Sequence, residues 1–515
     1  MSENQWTKVA EEKNLREGLP VVVKVDDKEV LLVRLEEKIY ACGNKCTHYG
    51  APLSDGRLSN HIATCPWHNA RFNVKNGKMV APPALDDLPV YPVKVENGDV
   101  YLGKAESPKV AKSSGLDKRT VLIVGAGAAG NTAAEALRRE GFDGHIQLLT
   151  AEPDRPYDRP NLSKEFMAGT APADWIPLRS EAFYTENQID LLTNHRVTDL
   201  DPVEHSVTLA RGKKLHFDQC LLATGGIPRS LDVQGSNLEN VFQFRSLQDA
   251  QVVVGAVEQA SRVLIVGAGF IGMEVAASLR VRNLDVHVVA PEKVPFLHIF
   301  GEKVAKRLQK RHEANGVQFH LGTTVKELAG HQKVQEVILK NDTRLSIDVV
   351  VIGLGISPAV EYLQKTNLIQ DGAVPVNEHL ETRAKGIYAA GDIAIVPYGY
   401  SGERQRIEHW AVAERQGLHA ARAMLGHDEP YDDVPFFWTQ QHDVSLKYVG
   451  FASQFDQIAY QGDIENGNFL AGYYMKGQLK AAATVGMSKE LFAVQEILKT
   501  GHAIPFEQFQ NWVDA

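Results

Sequence analysis

Cys46-Thr47-His48, followed by Cys65-Pro66-Trp67-His68, decides the reading of this 515-residue chain. Each stretch supplies one thiolate and one imidazole. Two cysteines on one iron and two histidines on another make a mixed-ligand [2Fe–2S] centre. A structural zinc site pairs cysteine with cysteine and histidine with histidine along the chain, and the grouping here is the opposite. Cys46 and Cys65 as plain buried apolar residues leaves the recurrence of both ligand types within one Gly- and Pro-containing region without a reason.

The spacing resembles that of the Rieske family, and the neighbours of the ligands suggest which branch. High-potential members carry an extra cysteine in each loop and hydroxyl donors beside the cluster. Here Tyr49, Gly50 and Ala51 follow the first histidine, and Trp67 stands where the second extra cysteine would be. Ala70 and Phe72 occupy the places where that branch has Ser and Tyr. Without those hydroxyls the reduced, more negative cluster loses two stabilising hydrogen bonds.

Working outward, residues 1–105 alternate short β-type runs such as Val21–Val25 and Val30–Val33 with turns at Asp26-Asp27 and Glu36-Glu37. An Asn97-Gly98 hairpin signal lies near the end. Residues 106–117 are polar with Pro and Ser and read as a linker. The strand-like Thr120–Val124 then runs into Gly125-Ala126-Gly127-Ala128-Ala129-Gly130, with a helix expected from Asn131 to Glu140 and closed by Gly141. Arg262–Val266 and Gly267-Ala268-Gly269-Phe270-Ile271-Gly272 repeat the pattern, with a helix expected from Met273 to Arg282 and a strand from Val286 to Val289. Strand, G-x-G-x-x-G and helix form a dinucleotide site because the glycines let the backbone approach a pyrophosphate at a helix N-terminus. Two copies imply two nucleotides, which resembles the plan of two-dinucleotide-binding flavoproteins, with FAD on the first fold and NAD(P)H on the second.

Composition sets bounds. A net charge of −9 argues against nucleic acid as a partner. No apolar run reaches the length of a membrane span. Four cysteines, two of them already assigned, leave no disulfide framework, and the Met1–Trp6 start lacks signal-peptide character, so a reducing cytoplasm is expected.

Residues 119 to about 510 resemble the ferredoxin reductases of bacterial oxygenase systems and the apoptosis-inducing-factor family, and the N-terminal extension resembles the Rieske-bearing members of the latter. The resemblance implies a multidomain chain. An all-β Rieske domain (1–105) precedes α/β domains for two dinucleotides: FAD in two parts (118–250 and 373–430) around NAD(P)H (251–372). An α+β C-terminal reductase domain (431–515), opened by Pro435-Phe436-Phe437-Trp438, completes it.

The resemblance also implies roles. In Arg155–Lys164, Arg159 and Lys164 contact FAD, and a cation there would stabilise charge on reduced flavin. Glu152 is placed at the adenosine ribose. Thr224 and Gly225, in Leu221–Gly225, lie at the crossing between nucleotide domains. Gly391 and Asp392 form the second flavin motif. Glu408, His409 and Trp410 lie along the flavin, and Glu274 near the nicotinamide. Lys164, Glu274 and Trp410 are the expected catalytic residues. Ala290 replaces the usual ribose-binding acid of the second fold, leaving Glu292 to take over. No arginine cluster for a 2′-phosphate stands nearby, which favours NADH. The segment Asn161–Ala168 holds no redox cysteine, and Cys220, in an apolar strand, reads as a buried filler.

The function expected is transfer of electrons from NADH through FAD to the chain's own cluster, then to an acceptor protein or small molecule that the sequence does not name. A reductase serving a separate ferredoxin, with the Rieske domain as docking module, and an NADH-responsive redox sensor are the rival readings. A homodimer is left open. The cluster is expected at the low end of the Rieske range, roughly −150 mV. A strongly positive midpoint in a potentiometric titration would refute that, and a kcat/KM favouring NADPH over NADH would overturn the coenzyme assignment.

Overall fold

The computed structural model describes residues 6–107 and 117–511; most of the segment read as a linker lies outside the described residues. In the N-terminal domain, tight hairpins form where two turn residues adopt left-handed backbone in succession. These are Asp26 and Asp27, Glu36 and Glu37, and Asn97 and Gly98, all at positive φ. Consecutive positive φ values give the turn whose twist matches paired strands. Two three-stranded antiparallel sheets and one of four strands result. The four-stranded sheet runs through Arg57–Ser59, Ile62–Thr64, Arg71–Asn73 and Met79–Ala81. Cys65 follows its second strand, and Cys46 follows the strand Lys38–Gly43.

The two G-x-G-x-x-G units head two parallel sheets of the same strand order. In the first, Ile189–Leu192, His145–Leu149, Thr120–Val124, Gln219–Leu222 and Ile387–Ala389 lie side by side. In the second the order is Val317–Leu321, Asp285–Ala290, Arg262–Val266, Val349–Ile352 and Val241–Gln243. The first sheet takes its last strand, Ile387–Ala389, from beyond the second sheet's stretch of chain, whereas the second sheet is built wholly from residues 241–352. The crossing segments Gly226–Pro228 and Ile356–Pro358 pair antiparallel between them. The helices start earlier than the sequence suggested: they span Ala128–Arg139 and Phe270–Val281, with Gly127 and Gly269 as N-caps. The first turn is built by the motif itself, which is what points its free N–H groups at a phosphate. Gly141 does close the first helix, at φ 92°. Cys220 is fully buried in its strand.

A five-stranded antiparallel sheet and the helix Ser488–Thr500 form the C-terminal domain. No helix among the described residues is long and apolar enough to cross a membrane.

The N-terminal domain is docked on the rest through polar contacts. Arg71 Nη1 and Arg415 Nη1 donate to opposite oxygens of Asp433, at 3.0 and 2.7 Å. Arg415 Nη2 also donates to the carbonyl and side-chain oxygens of Asn69, whose amide donates to Gln495 at 2.9 Å. Arg179 joins Asp86 to Glu135 on the other side of the contact. Burial opposes ionisation of Asp433, but Arg415 and Arg71 outweigh it and hold the carboxyl down to about 2. A depressed carboxylate contributes stability that is whole above its unfolded value near 4 and lost as pH falls through the folded one. We therefore expect the docked contact to lose about 2 kcal/mol between pH 4 and 2. Asp433→Asn should remove that acid dependence, as read by domain-resolved unfolding against pH. An unchanged profile would show that the clamp contributes nothing.

Candidate functional site

The cluster loops fold alike. Cys46 N–H donates to Ala51 and Cys65 N–H to Ala70, while Gly50 and Asn69, both at positive φ, return N–H bonds to the carbonyls of Cys46 and Cys65. The loops Cys46–Ala51 and Cys65–Ala70 are thus two copies of one closed turn. Each cysteine sulfur accepts two backbone N–H groups, from His48 and Tyr49 on one side and from Trp67 and His68 on the other. Such bonds favour thiolate. The two sulfurs lie within hydrogen-bond reach of each other. The imidazole Nδ1 atoms of His48 and His68 face one another at 3.0 Å, a separation that fits two nitrogens on one metal with bonds of roughly 2.1 Å. Burial holds His48 near 4 and His68 well below its ordinary value, so both rings are neutral donors.

Among the described residues, no three His, Cys, Asp or Glu side chains converge on a single ion. A two-iron cluster takes its protein ligands two per iron, so this pairing fits it and fits a mononuclear metal badly. Ala70 and Phe72 are fully buried in the same apolar cluster as both cysteines. Lys447, from the C-terminal sheet, lies near Cys65; burial pushes its ammonium down and Cys65 opposes that.

Behind the loops lies a cavity of about 1230 Å³ that reaches both nucleotide folds, touching Gly125 and Gly127 at one end and Gly269 and Gly353 at the other. That exceeds the usual 300–1,000 Å³ of a single small-ligand pocket. Most of the residues expected at FAD and NADH meet here. Glu152, Arg159, Lys164, Thr224, Gly225, Glu274, Gly391, Asp392, Glu408, His409 and Trp410 all line it.

Their partners are specific. Glu152 accepts from Tyr157 Oη at 2.6 Å and Arg159 at 3.0 Å. Burial works against its ionisation, but these two partners and Arg245 leave it below the usual range. Asp392 is held by Arg245 at 3.0 Å. Thr224 Oγ1 donates to the Ala359 carbonyl at 2.7 Å, tying the crossing strands. His409 stacks on Phe437 at 4.2 Å, and burial lowers it to about 4. Lys164 Nζ donates to Glu274 Oε2 at 2.7 Å, and Ser163 Oγ donates to the same oxygen at 2.6 Å. Gly130, Gly267 and Gly272 belong to the glycine motifs but do not line the cavity, and Glu292 stands farther apart. It is exposed, does not line the cavity, and uses its carbonyl to accept the Gly322 N–H.

Trp438 was read from the sequence only as part of a domain opening. In the structure it lines the cavity and packs its ring 4.5 Å from that of His68. Tyr49, beside the other histidine, donates to Asp158, within the segment read as passing the flavin. The signal for Trp438 was present in the aromatic run Phe436-Phe437-Trp438, but nothing local in it says that the cluster loop lands there.

A two-dinucleotide cavity walled by an aromatic contact to a mixed Cys/His loop pair defines an FAD-dependent oxidoreductase coupled to an iron–sulfur centre. Residues 119–417 match the pyridine nucleotide-disulphide oxidoreductase family, residues 5–92 the Rieske [2Fe-2S] domain, and residues 436–512 the reductase C-terminal domain. The chain is 38% identical to apoptosis-inducing factor 3 of Homo sapiens, covering 97% of this chain and 85% of that protein. It is 33% identical to the 3-phenylpropionate/cinnamic acid dioxygenase ferredoxin–NAD(+) reductase component of Photorhabdus laumondii, over 74% and 97% of the two chains. It also matches the covalent putidaredoxin reductase–putidaredoxin complex with a TM-score of 0.72 and 30% identity, over 75% of this chain and 94% of that one. The chain belongs to the pyridine nucleotide-disulphide oxidoreductase family, in a Rieske-bearing form of ferredoxin-reductase type that uses FAD, NAD(P)H and a [2Fe–2S] cluster.

The glycines give a test of the cavity. A Cβ on Gly130 would lie 1.8 Å from the Gly125 carbonyl oxygen, whereas one on Gly127 meets nothing within 4 Å. Gly130→Ala is expected to destabilise the fold. Gly127→Ala should melt like the parent yet bind flavin at least tenfold more weakly, a change of about 1.4 kcal/mol. Undiminished flavin content in Gly127→Ala would remove the pyrophosphate from that turn.

Proposed function

We propose that this chain is an NADH-dependent reductase in which Cys46 and Cys65 hold one iron and His48 and His68 the other. The cavity behind them takes FAD and the nicotinamide, and electrons cross to the chain's own cluster before reaching an external acceptor. The contact of His68 with Trp438 supports this most directly, because it joins a cluster ligand to the cavity wall. When bound, the flavin supplies the conversion of a hydride into single electrons and the cluster supplies a one-electron carrier.

The chain's residues supply the rest. Gly127 and Gly269 present helix N-termini to the two pyrophosphates. Lys164, fixed by Glu274, holds positive charge at the cavity wall where reduced flavin gathers negative charge. Phe437, His409 and Trp410 provide an apolar, largely neutral lining. Asp433 and its two arginines keep the loop of His68 against Trp438. The docked cluster domain favours internal transfer over a passive docking module. The putidaredoxin reductase–putidaredoxin complex is a case of such a reductase held covalently to a second protein, and this chain carries a Rieske domain of its own. The external acceptor is a protein or small oxidant, and four cysteines, two of them cluster ligands, suit a reducing cytoplasm.

Trp438→Ala should leave NADH-driven reduction of a flavin-level dye near the parent value. It should slow the appearance of the reduced-cluster EPR signal after NADH by roughly tenfold or more. Equal cluster reduction rates in parent and variant would reject the route past Trp438. Loss of the dye reaction as well would assign Trp438 to flavin binding instead.

A further inference from the structure

We propose that a string of four side chains running from the molecular surface, His442, His312, Gln441 and Thr439, fixes the Glu274 carboxylate and through it the Lys164 ammonium at the flavin cavity. The inference rests on the reading of that cavity as the flavin site and goes beyond it.

The string is continuous. His442 Nε2 and His312 Nδ1 are 3.1 Å apart, and His312 Nε2 and Gln441 Oε1 are 2.9 Å apart. Gln441 Nε2 donates to Thr439 Oγ1 at 3.1 Å, and Thr439 Oγ1 donates to Glu274 Oε1 at 2.7 Å. The inner end sets the direction of every bond. A carboxylate only accepts, so the Thr439 hydroxyl gives its proton to Glu274 and must accept from the Gln441 amide. The Gln441 oxygen then accepts from His312 Nε2–H, leaving His312 Nδ1 to accept from His442 Nε2–H. All four donors therefore point inward. Burial keeps both imidazoles near 4, so at neutral pH each carries one ring proton and the order is unique.

Glu274 is consequently held from two sides. Oε2 takes Lys164 and Ser163, while Oε1 takes only the string. Glu274 is 3% exposed, so no bulk water replaces a lost donor cheaply. Aligned bonds in a low-dielectric interior polarise one another, and here all four point toward Glu274 Oε1. Its members come from separate elements: Glu274 from the helix Phe270–Val281, Thr439 and Gln441 from the strand Phe436–Gln441, His312 from the helix Leu297–Ala314, and His442 from the hairpin turn. The ion pair of Arg311 with Asp443 lies over the outer end. Thr439, Gln441, His312 and His442 are positioning residues, since none of the four lines the cavity, whereas Glu274, Lys164 and Ser163 do.

Thr439→Val keeps volume and removes the hydroxyl; Thr439→Ser restores it. His442→Phe removes the outermost donor far from the cavity. The readouts are flavin content and flavin midpoint potential of the purified holoenzyme, by anaerobic spectroelectrochemistry, together with melting temperature. Thr439→Val should shift the midpoint downward, because a less well-fixed Glu274 leaves Lys164 less committed to the flavin. Thr439→Ser should return it to the parent value, and His442→Phe should shift it the same way by less. A purely structural cross-link would lower melting temperature and leave the potential alone. Flavin bound at the parent potential in Thr439→Val overturns the role of the string. A parent-like potential in His442→Phe beside a shifted Thr439→Val restricts it to one hydroxyl and overturns the extended form. Parent protein that binds no flavin overturns the cavity reading and this inference together.

Discussion

Asp433 between two guanidiniums is the contact on which the arrangement of this molecule depends. Arg71 comes from the cluster domain and Arg415 from the helix Trp410–Met424, which packs against the first nucleotide-binding helix. One carboxylate therefore links the two chemistries. The grip is also local to the chemistry: Arg415 holds both oxygens of Asn69, the residue after His68, and Gln495 takes the Asn69 amide. The loop bearing a cluster ligand is fixed at its adjoining residue. Removing one partner would strand buried charge, which typically costs 3–5 kcal/mol, so the clamp resists partial loss more than concerted separation.

The second constraint is the doubled nucleotide fold. The sheets share strand order, and each has a three-stranded antiparallel insertion beside it. Insertion of the second fold between the fourth and last strands of the first, through the paired crossing segments, brings the glycine turns to a common cavity. A hydride donor and a flavin acceptor must meet face to face, and two dinucleotides held by the opposite glycine turns would share the cavity between them. Lys164, Glu274, His409 and Phe437 are gathered at that middle from four separated stretches of chain.

What the sequence revealed follows from range. The cluster loops were legible because ligand type and spacing are local, and so were the glycine turns, because strand, turn and helix occupy one short window. Helix starts were placed late, since the motif glycines look like loop until the N-cap is seen to be Gly127. The repetition of the Cys46–Ala51 turn in Cys65–Ala70 escaped notice because His48 and His68 sit at different offsets from their cysteines. Asp433 and the string from His442 to Glu274 had no local signature, and the aromatic run holding Trp438 gave no sign of what it meets. Their meaning depends on contacts between residues hundreds of positions apart, as with Arg71 and Asp433. Glu292 shows the converse. Its place in the sequence suggested a ribose contact, while in the structure it lies exposed outside the cavity.

The docking surface has a character that bears on how electrons leave. The apolar clusters of the N-terminal domain are drawn wholly from its own residues, and none extends into the nucleotide-binding or C-terminal domains. Apart from the ring contact of His68 with Trp438, the domains meet through ion pairs and hydrogen bonds. A polar contact of this kind can be rehydrated when it opens, because each charge regains water at the same moment as its partner. Interfaces of this type between domains of one chain permit relative motion by default. Covalent attachment then does what a tight interface does for separate proteins, since it keeps the cluster domain at high effective concentration beside Trp438. A ferredoxin that must diffuse to its reductase needs affinity to find the site, whereas a tethered one needs only orientation. The Asp433 clamp supplies orientation without an apolar seal.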